Sequence, residues 1–409
     1  MNLLYGIMGI LILLGIAYLL SNNRKAINVR TVLGAFFMQA LFAMFVLYIP
    51  FGQKLILNIA NGIQTAIGAG NTGVAFVFGP LSDMSVGFIF AINVLAVVVF
   101  FSSLISVLYY VKIMPFIINT IGYGIHKILG TSRTESLSAT ANIFVGQTEA
   151  PLVVRPFLNT MTRSELFAVM VGGLASVAGS VMVGYAALGI DLKFLIAAAF
   201  MAAPGGLLMA KIMMPQTENV HDKMEDVEGD DSANQENPVN VIEAAANGAS
   251  AGLMLVVNIG AMLIAFIGLV ALMDMILGSV GSIFGFEGLS FNFLLGYAFS
   301  PFAFIMGIPW DEAFKVGAYL GQKMIFNEFV AYLSFVKDIA TFSPKTQAIT
   351  TFALCGFANI SSIGILIGGL GSLSPKQKPR IAEMAIKAVI AGTLANFMSA
   401  TLAGIFLSF

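Results

Sequence analysis

The chain has 409 residues, of which 58% are hydrophobic and 10% are charged, and its mean hydropathy is +0.92. Soluble domains carry about 25% charged residues, so this composition indicates an integral membrane protein. A net charge of -1 excludes a basic surface for nucleic acid, and the lone Cys355 excludes an intrachain disulfide.

The first half of the chain contains five apolar stretches, each long enough to cross about 30 Å of bilayer. They lie at residues 3–20, 32–49, 87–111, 165–189 and 192–214. The first lacks the basic region and cleavage site of a signal peptide, so we interpret it as a spanning helix. Residues 51–86 are rich in Gly and Asn and favour an interfacial segment or a loop, and residues 112–130 are amphipathic.

One segment of this half, residues 131–163, is too polar for a simple span. Its centre is interrupted by Gly146 and Pro151, which break regular helix. A carboxylate at membrane depth must face protein or water. We therefore predict the tip of a re-entrant helical hairpin, which exposes four polar side chains to a transport site: Asn142, Gln147, Thr148 and Glu149.

The second half begins with an acidic segment, residues 216–240, which we interpret as a solvated loop. Further spans are predicted at residues 253–275, 346–372 and 381–408, with a mixed stretch at 278–306. Residues 308–342 form a second polar hairpin, with Asn327 and Glu328 at its centre.

The two halves resemble each other. Residues 173–179 (GLASVAG) and 356–362 (GFANISS) match position by position in residue type, and Glu149 and Glu328 occupy comparable points of the two hairpins. A hairpin followed by two spans thus occurs twice, and the copies enter from opposite sides. Such inverted repeats are typical of secondary transporters, with the site at the midplane; chance similarity between Gly- and Ala-rich helices is the alternative.

The predicted fold is therefore an all-α polytopic membrane protein. It has eight transmembrane helices, two re-entrant hairpins, interfacial helices and an inverted repeat. Residues 1–130 form a scaffold, residues 131–215 a first transport repeat, residues 216–306 a cytoplasmic acidic loop with the sixth span and a connecting segment, and residues 307–409 a second transport repeat.

The distribution of Lys and Arg predicts both termini outside. With the first loop inside and both hairpins returning to their side of entry, all arginines lie inside. The basic residues left outside are Lys54, Lys193, Lys315, Lys323, Lys337 and Lys345.

The polar residues also indicate a ligand class. Asn142 and Ser176 offer neutral oxygens, and a helix broken near residues 176–181 would free backbone carbonyls. Together these oxygens suit a monovalent cation such as Na+. Amides and carboxylates match the edge of a heterocycle and vicinal hydroxyls. Local roles are the alternative: Asn142 capping a helix, Ser176 bonding its own backbone, and the acids forming structural pairs. His126 and His221 lack ligand-like neighbours, so we expect no metal cofactor, and no constellation of an enzyme is present.

Three motifs carry a resemblance to a known family. Residues 146–151 (GQTEAP), 327–332 (NEFVAY) and 355–362 (CGFANISS) together resemble the bacterial concentrative nucleoside transporters. Supporting stretches are residues 100–110 and Pro204–Gly206. One departure is residues 94–97 (VLAV), where relatives usually show Val-Leu-Pro-Thr.

The resemblance implies a homotrimer of the bacterial inner membrane that imports nucleosides such as uridine, cytidine or adenosine, coupled to Na+ by an elevator-type alternating-access mechanism. It implies a nucleoside site formed by Gln147, Thr148, Glu149, Val181, Glu328, Phe357, Asn359 and Ser362. It also implies a sodium site formed by Asn142, Ser176, Val177 and Val181. Rival readings are a proton-coupled symporter that uses Glu149 or Glu328, a channel, and a membrane enzyme.

Overall fold

The computed structural model describes residues 3–83, 85–220, 238–286 and 288–408, and within these ranges every regular element is helical. Most of the predicted acidic loop, residues 221–237, lies outside the described residues.

The helices of the first half range from 9 to 29 residues, and the shortest, α6 and α8, border the polar tip and the helix break. In chain order they are α1 (Leu3–Leu19), α2 (Val29–Leu47), α3 (Pro50–Phe78), α4 (Ala96–Tyr110), α5 (Ile113–Leu129), α6 (Arg133–Ala141), α7 (Arg163–Ala175), α8 (Gly179–Ala187) and α9 (Leu192–Met213). A π-helical turn, Ala91–Leu95, leads into α4 and overlaps the departure at residues 94–97.

The second half begins with one very long helix and ends with another. Its helices are α10 (Val241–Ile283), α11 (Phe291–Ile305), α12 (Trp310–Ile325), α13 (Glu328–Asp338), α14 (Pro344–Leu354), α15 (Ser361–Ile365), α16 (Gly371–Leu373) and α17 (Lys378–Phe406). The predicted sixth span, residues 253–275, is the middle part of α10, which has 43 residues.

In the described part of the chain, six helices are long and apolar enough to cross a membrane, or seven if the pair α11 and α12, bent by 117°, counts as one span. The predicted first span appears as a shorter apolar helix, Tyr5–Leu19, and the predicted seventh is divided between α14 and a separate piece, Ser361–Leu373. The count of eight spans stays a prediction, as do the re-entrant hairpins, the inverted repeat and the scaffold and transport parts.

Residues 51–86 form more regular structure than their composition indicates. The 29-residue helix α3 covers most of them, so the loop reading is wrong for this part. Pro50 stands in the first turn of α3, where its missing N–H leaves no hydrogen bond unmade. The Gly and Asn residues of α3 lie along a largely exposed helix, where tertiary burial does not require a continuous apolar face.

The core is built around α7, α9 and α17. The last helix, α17, packs against α7, α9 and α14, and α9 also packs against α2. The spans that contain α7, α9 and α17 are almost entirely buried, whereas α10 is exposed along nearly its whole length. Small residues permit this close packing: a Cβ added at Gly392 of α17 would lie 2.9 Å from Leu174 Cβ of α7.

The N-termini of α6 and α7 are held together by a buried polar cluster. Ser132 and Glu135 form a capping box at the start of α6, and Thr162 and Glu165 form a second one at the start of α7. The buried ammonium of Lys211 on α9 pairs with Glu135. These contacts fix the base of the first polar segment to the core.

Two lysines should not be counted when the distribution of Lys and Arg is used as a rule to orient the chain. That rule concerns loops, but Lys323, assigned to the outside, is 1% exposed, and Lys211, assigned to the inside, is 5% exposed. Both are structural groups within the helical core, so neither reports on the orientation of the chain.

Candidate functional site

The first polar tip, residues 142–149, connects α6 to a 3-10 helical segment, Ala150–Phe157. Helix α6 ends at Ala141, and Pro151 stands in the first turn of the segment that follows. Gly146 N donates to a carboxylate oxygen of Glu149 over 3.3 Å. This local bond closes the turn and brings Gln147 and Thr148 to its apex.

The first helix break, residues 176–178, lies directly beside this tip. Ser176 (φ -111°, ψ 175°) and Ala178 (φ -66°, ψ 142°) are extended, so the helix stops at Ala175 and restarts at Gly179. Gly179 N donates to Phe144 O over 2.9 Å. The break and the tip are therefore joined through their backbones, as the sequence predicts for a broken helix near Ser176.

The predicted sodium ligands meet at this junction. Asn142 is 1% exposed, its Nδ2 donates to Ser138 O over 2.9 Å, and its Oδ1 is buried without a hydrogen-bond partner among the described residues. Ser176 Oγ donates to Gly172 O over 3.0 Å. The local roles considered for both residues are thus present, yet Asn142 Oδ1 and the lone pairs of Ser176 Oγ stay free to accept a cation.

The two valines assigned to the same ion differ in their placement. Val177 lies within the break, where its carbonyl is released from regular helix. Val181 lies in the first turn of α8 and is 2% exposed. Val177 therefore offers a carbonyl outside regular helix, whereas Val181 lies within α8, one turn further along the chain.

The second polar tip is formed between α12 and α13. Asn327 caps α13, with its Oδ1 accepting from Val330 N over 3.0 Å. Glu328, the first residue of α13, is 4% exposed. Its Oε1 accepts from Tyr185 Oη over 2.9 Å, and its Oε2 accepts from Asn359 Nδ2 over 3.2 Å.

The second helix break, residues 355–360, holds the other predicted ligands. Asn359 Oδ1 accepts from Ser362 N over 2.8 Å and from Ser361 Oγ over 2.7 Å. Ser362 Oγ donates to Phe357 O over 2.6 Å. Phe357 is half-buried, and its N–H donates to Ser176 O over 3.1 Å, which joins this break to the first.

One further bond connects the two polar tips through the second break. Gln147 Nε2 donates to Ser362 Oγ over 3.5 Å, while Gln147 Oε1 is buried without a partner among the described residues. A continuous series of polar contacts thus runs from one tip to the other, through Gln147, Ser362, Asn359, Glu328 and Tyr185. The side chains of Thr148 and Glu149 are exposed beside this series.

Sequence reasoning missed Tyr185, which is fully buried and binds one oxygen of Glu328. Its spacing contained a signal, because Tyr185 follows Val181 by one helical turn and so lies on the same face of α8. Tyr332, also fully buried, packs against it with ring centroids 4.6 Å apart. Such aromatic contacts limit the orientations open to the Tyr185 hydroxyl.

One cavity in the described part of the chain lies apart from this site. A cavity of about 220 Å³ is lined by Val46, Gln53, Ile56, Lys193 and Phe194, and it contains none of the predicted ligands. Across the described ranges of the chain, no group of three or more His, Cys, Asp and Glu residues is arranged to hold a metal ion.

Family models divide the chain into three consecutive parts. The Na+ dependent nucleoside transporter C-terminus matches residues 194–404, its N-terminus matches residues 8–81, and a nucleoside recognition "Gate" model matches residues 91–191. The chain belongs to the concentrative nucleoside transporter family. It is a multi-pass membrane transporter of nucleosides rather than an enzyme, as the sequence predicted.

Related proteins agree with this membership over the full length. The chain is 55% identical to an uncharacterized transporter of Haemophilus influenzae (100% of this chain, 98% of the relative). It is 51% identical to nucleoside permease NupC of Helicobacter pylori (99% and 98%). It is also 39% identical to human solute carrier family 28 member 3, and this alignment covers 97% of this chain and 59% of the longer relative.

Solved structures of a family member superpose closely. The inward-facing substrate-bound state of CNTnw matches with a TM-score of 0.96 at 49% identity, covering 99% of this chain and 98% of that one. An outward-facing state of a CNTnw variant matches with a TM-score of 0.97 at 49% identity, covering 99% of each. The all-helical fold of the family is therefore the fold of this chain.

Proposed function

We propose that this protein is a symporter that imports nucleosides on the sodium gradient, with its substrate site between the two polar tips. The observation that carries the proposal is the polar series from Gln147 to Glu328, which links the two tips through Asn359 of the second helix break. A solute bound there contacts segments that lie far apart in the chain, so binding can stabilise one arrangement of all of them.

The donors and acceptors of this series suit a nucleoside. Glu328 as a carboxylate is an acceptor for ribose hydroxyls, and Asn359 Nδ2 next to it is a donor. Gln147, with its Oε1 unpaired, offers an acceptor and a donor to the edge of a base. Thr148, Glu149, Val181, Phe357 and Ser362 complete the proposed nucleoside contacts.

Sodium coupling rests on the first junction. The buried, unpaired Oδ1 of Asn142 and the free lone pairs of Ser176 Oγ are hard neutral oxygens, the donors that suit Na+. Val177 and Val181 would add carbonyl oxygens. Because Asn142 and Gln147 belong to the same tip, an ion bound at Asn142 orders the residues that bind the solute, which is the coupling that symport requires.

Transport itself would follow alternating access. In this scheme the two polar tips, the broken helices and α17 move as a body relative to a scaffold that includes α10, in an elevator-type motion. The protein would act as a homotrimer in the bacterial inner membrane, with both termini outside.

The test is uridine uptake into proteoliposomes under an imposed Na+ gradient, an imposed pH gradient, or neither. We expect accumulation with the Na+ gradient alone. Accumulation driven only by the pH gradient would favour a proton-coupled symporter that uses Glu149 or Glu328. Uptake that never exceeds the outside concentration and does not saturate would contradict symport and indicate a channel.

A further inference from the structure

Two half-helices, α7 and α14, end in the interior of the protein. They stop at Ala175 and Leu354, and the breaks after them are joined by the bond from Phe357 N to Ser176 O. A helix C-terminus presents carbonyls without intrahelical partners and carries about half a negative charge. Each of the two ends therefore favours a cation.

The end of α14 receives its cation from the protein itself. Lys323, in the last turn of α12, is 1% exposed, and its Nζ donates to Ala353 O and to Asn396 Oδ1, each over 2.8 Å. Lys323 forms no salt bridge with any described residue. A buried ammonium needs hydrogen-bonding partners, and here they are a helix terminus and an amide rather than a carboxylate.

Asn396 of α17 connects this lysine to both half-helices. Its Nδ2 donates to Ala175 O over 2.6 Å and to Cys355 O over 3.0 Å, while its Oδ1 accepts from Lys323. Gly356 makes room for this amide, because a Cβ there would lie 2.3 Å from Asn396 Oδ1. The position of the second break thus depends on the pair Lys323 and Asn396.

Among the described residues, no cation is placed at the end of α7. The lysines buried in the described part of the chain are Lys211 and Lys323, and Lys211 pairs with Glu135 at the far end of α6. No described lysine donates to a carbonyl of the last turn of α7. Asn142 lies there instead, since a Cβ added at Gly172 would be 3.2 Å from Asn142 Nδ2. The Oδ1 of Asn142 has no hydrogen-bond partner among the described residues.

We propose that Lys323 is a positioning residue that acts as a tethered cation, neutralising the end of α14 and holding the second break and Glu328 in place. The end of α7 is left to an exchangeable cation. The cation at one break is therefore a side chain of the protein itself, and the cation at the other is an ion that binds and leaves. The second clause rests on the proposed sodium coupling, whereas the role of Lys323 does not.

Chemical rescue tests this role. Lys323→Ala removes three methylenes and the ammonium, a group that n-propylammonium matches, and 1-propanol matches in size without charge. We expect Lys323→Ala to bind uridine about tenfold more weakly than wild type, the factor for one charge-assisted hydrogen bond. n-Propylammonium should restore most of this loss and raise the unfolding midpoint, and 1-propanol should do neither.

Lys323→Met is the matched control, because its side chain fills the space but carries no charge. We expect weakened uridine binding that n-propylammonium does not restore. A folded Met variant that binds uridine as tightly as wild type would overturn the proposal. So would a folded Ala variant whose uridine affinity and unfolding midpoint change equally with n-propylammonium and 1-propanol, or change with neither. If the Ala variant does not fold, the Met variant alone decides through its uridine affinity.

The same experiment separates this inference from the proposed function. Absence of uridine binding by wild-type protein would contradict the nucleoside site. The shift of the unfolding midpoint of Lys323→Ala with n-propylammonium requires no nucleoside, so it still decides whether Lys323 acts as a cation at the end of α14.

Discussion

The backbone N–H of Phe357 donates to the carbonyl of Ser176 over 3.1 Å, and this bond joins the breaks of two half-helices that lie 181 positions apart in the chain (357 less 176). Each break also bonds close to a polar tip: Gly179 N, directly after the first break, donates to Phe144 O, and Ile360 N donates to Met324 O in the last turn of α12, both over 2.9 Å. The four segments therefore share one backbone network, and a shift of one tip is transmitted to the others.

Glu328 is expected to be essential for nucleoside uptake. Both of its oxygens accept hydrogen bonds, from Tyr185 and from Asn359. Glu328→Gln replaces one carboxylate oxygen, which accepts a hydrogen bond, with an NH2 group, which then faces the donor of Tyr185 or Asn359. It also removes the charge that strengthens both bonds. We expect uridine uptake into proteoliposomes to fall on the order of 100-fold, equivalent to about 3 kcal/mol. Normal uptake by this variant would contradict the site.

Tyr185 is expected to set the position of that carboxylate. Tyr185→Phe keeps the buried ring but removes the hydroxyl that binds Glu328 Oε1. Loss of one hydrogen bond to a charged group costs about 1.5–3 kcal/mol. We expect the uridine dissociation constant, measured by calorimetry, to rise by about tenfold or more. Tyr123→Phe, which changes an exposed side chain of α5, is the control and should leave the constant unchanged.

Asn142 is expected to control the ion requirement rather than the fold. Its Oδ1 is buried without a described partner, so Asn142→Ala removes a cation ligand without breaking a bond to that atom. We expect the Na+ concentration for half-maximal uptake to rise about tenfold. Asn119→Ala, which changes an exposed amide on α5, should have no effect. An unchanged Na+ dependence in Asn142→Ala would rule out this ligand.

Gly173 is expected to tolerate no side chain. A Cβ there would lie 2.8 Å from Gln147 Cβ and 3.1 Å from its Cα, so Gly173→Ala must displace the first tip. Overpacking of this kind costs about 1–3 kcal/mol. We expect weaker uridine binding and a lower unfolding midpoint. Gly15→Ala on α1, where nothing lies within 4 Å of an added Cβ, should behave as wild type.

Lys211 and Glu135 are expected to stabilise the base of the first tip. Lys211→Met leaves a buried carboxylate without its cation, which costs about 3–5 kcal/mol. Lys193→Met breaks a matched but exposed pair with Asp191 and should cost less than about 1 kcal/mol. Unfolding in a denaturing detergent measures both. Equal losses of stability in the two variants would contradict the difference that burial predicts.

Much of the site could be predicted because transport chemistry leaves local marks. Asn142, Gln147, Glu328 and Asn359 are polar residues in apolar surroundings, and intramembrane polar groups are costly unless they serve a function. Sequence reasoning overlooked Asn396, an amide in an apolar helix, and assigned no role to Tyr185 and Lys323. A tyrosine in an apolar helix reads as core, and a lysine near a helix end reads as a loop charge.

By itself the sequence determined the class of the protein, the helix break near Ser176, and the positions of the two polar segments. Hydropathy, Gly and Pro act on neighbouring residues, so their effects are readable along the chain. Only the tertiary structure decided that the two breaks touch, that Tyr185 binds Glu328, and that Lys323 and Asn396 complete the ends of α7 and α14. Those contacts join residues distant in the chain, and packing alone brings their hydrogen-bonding groups within reach.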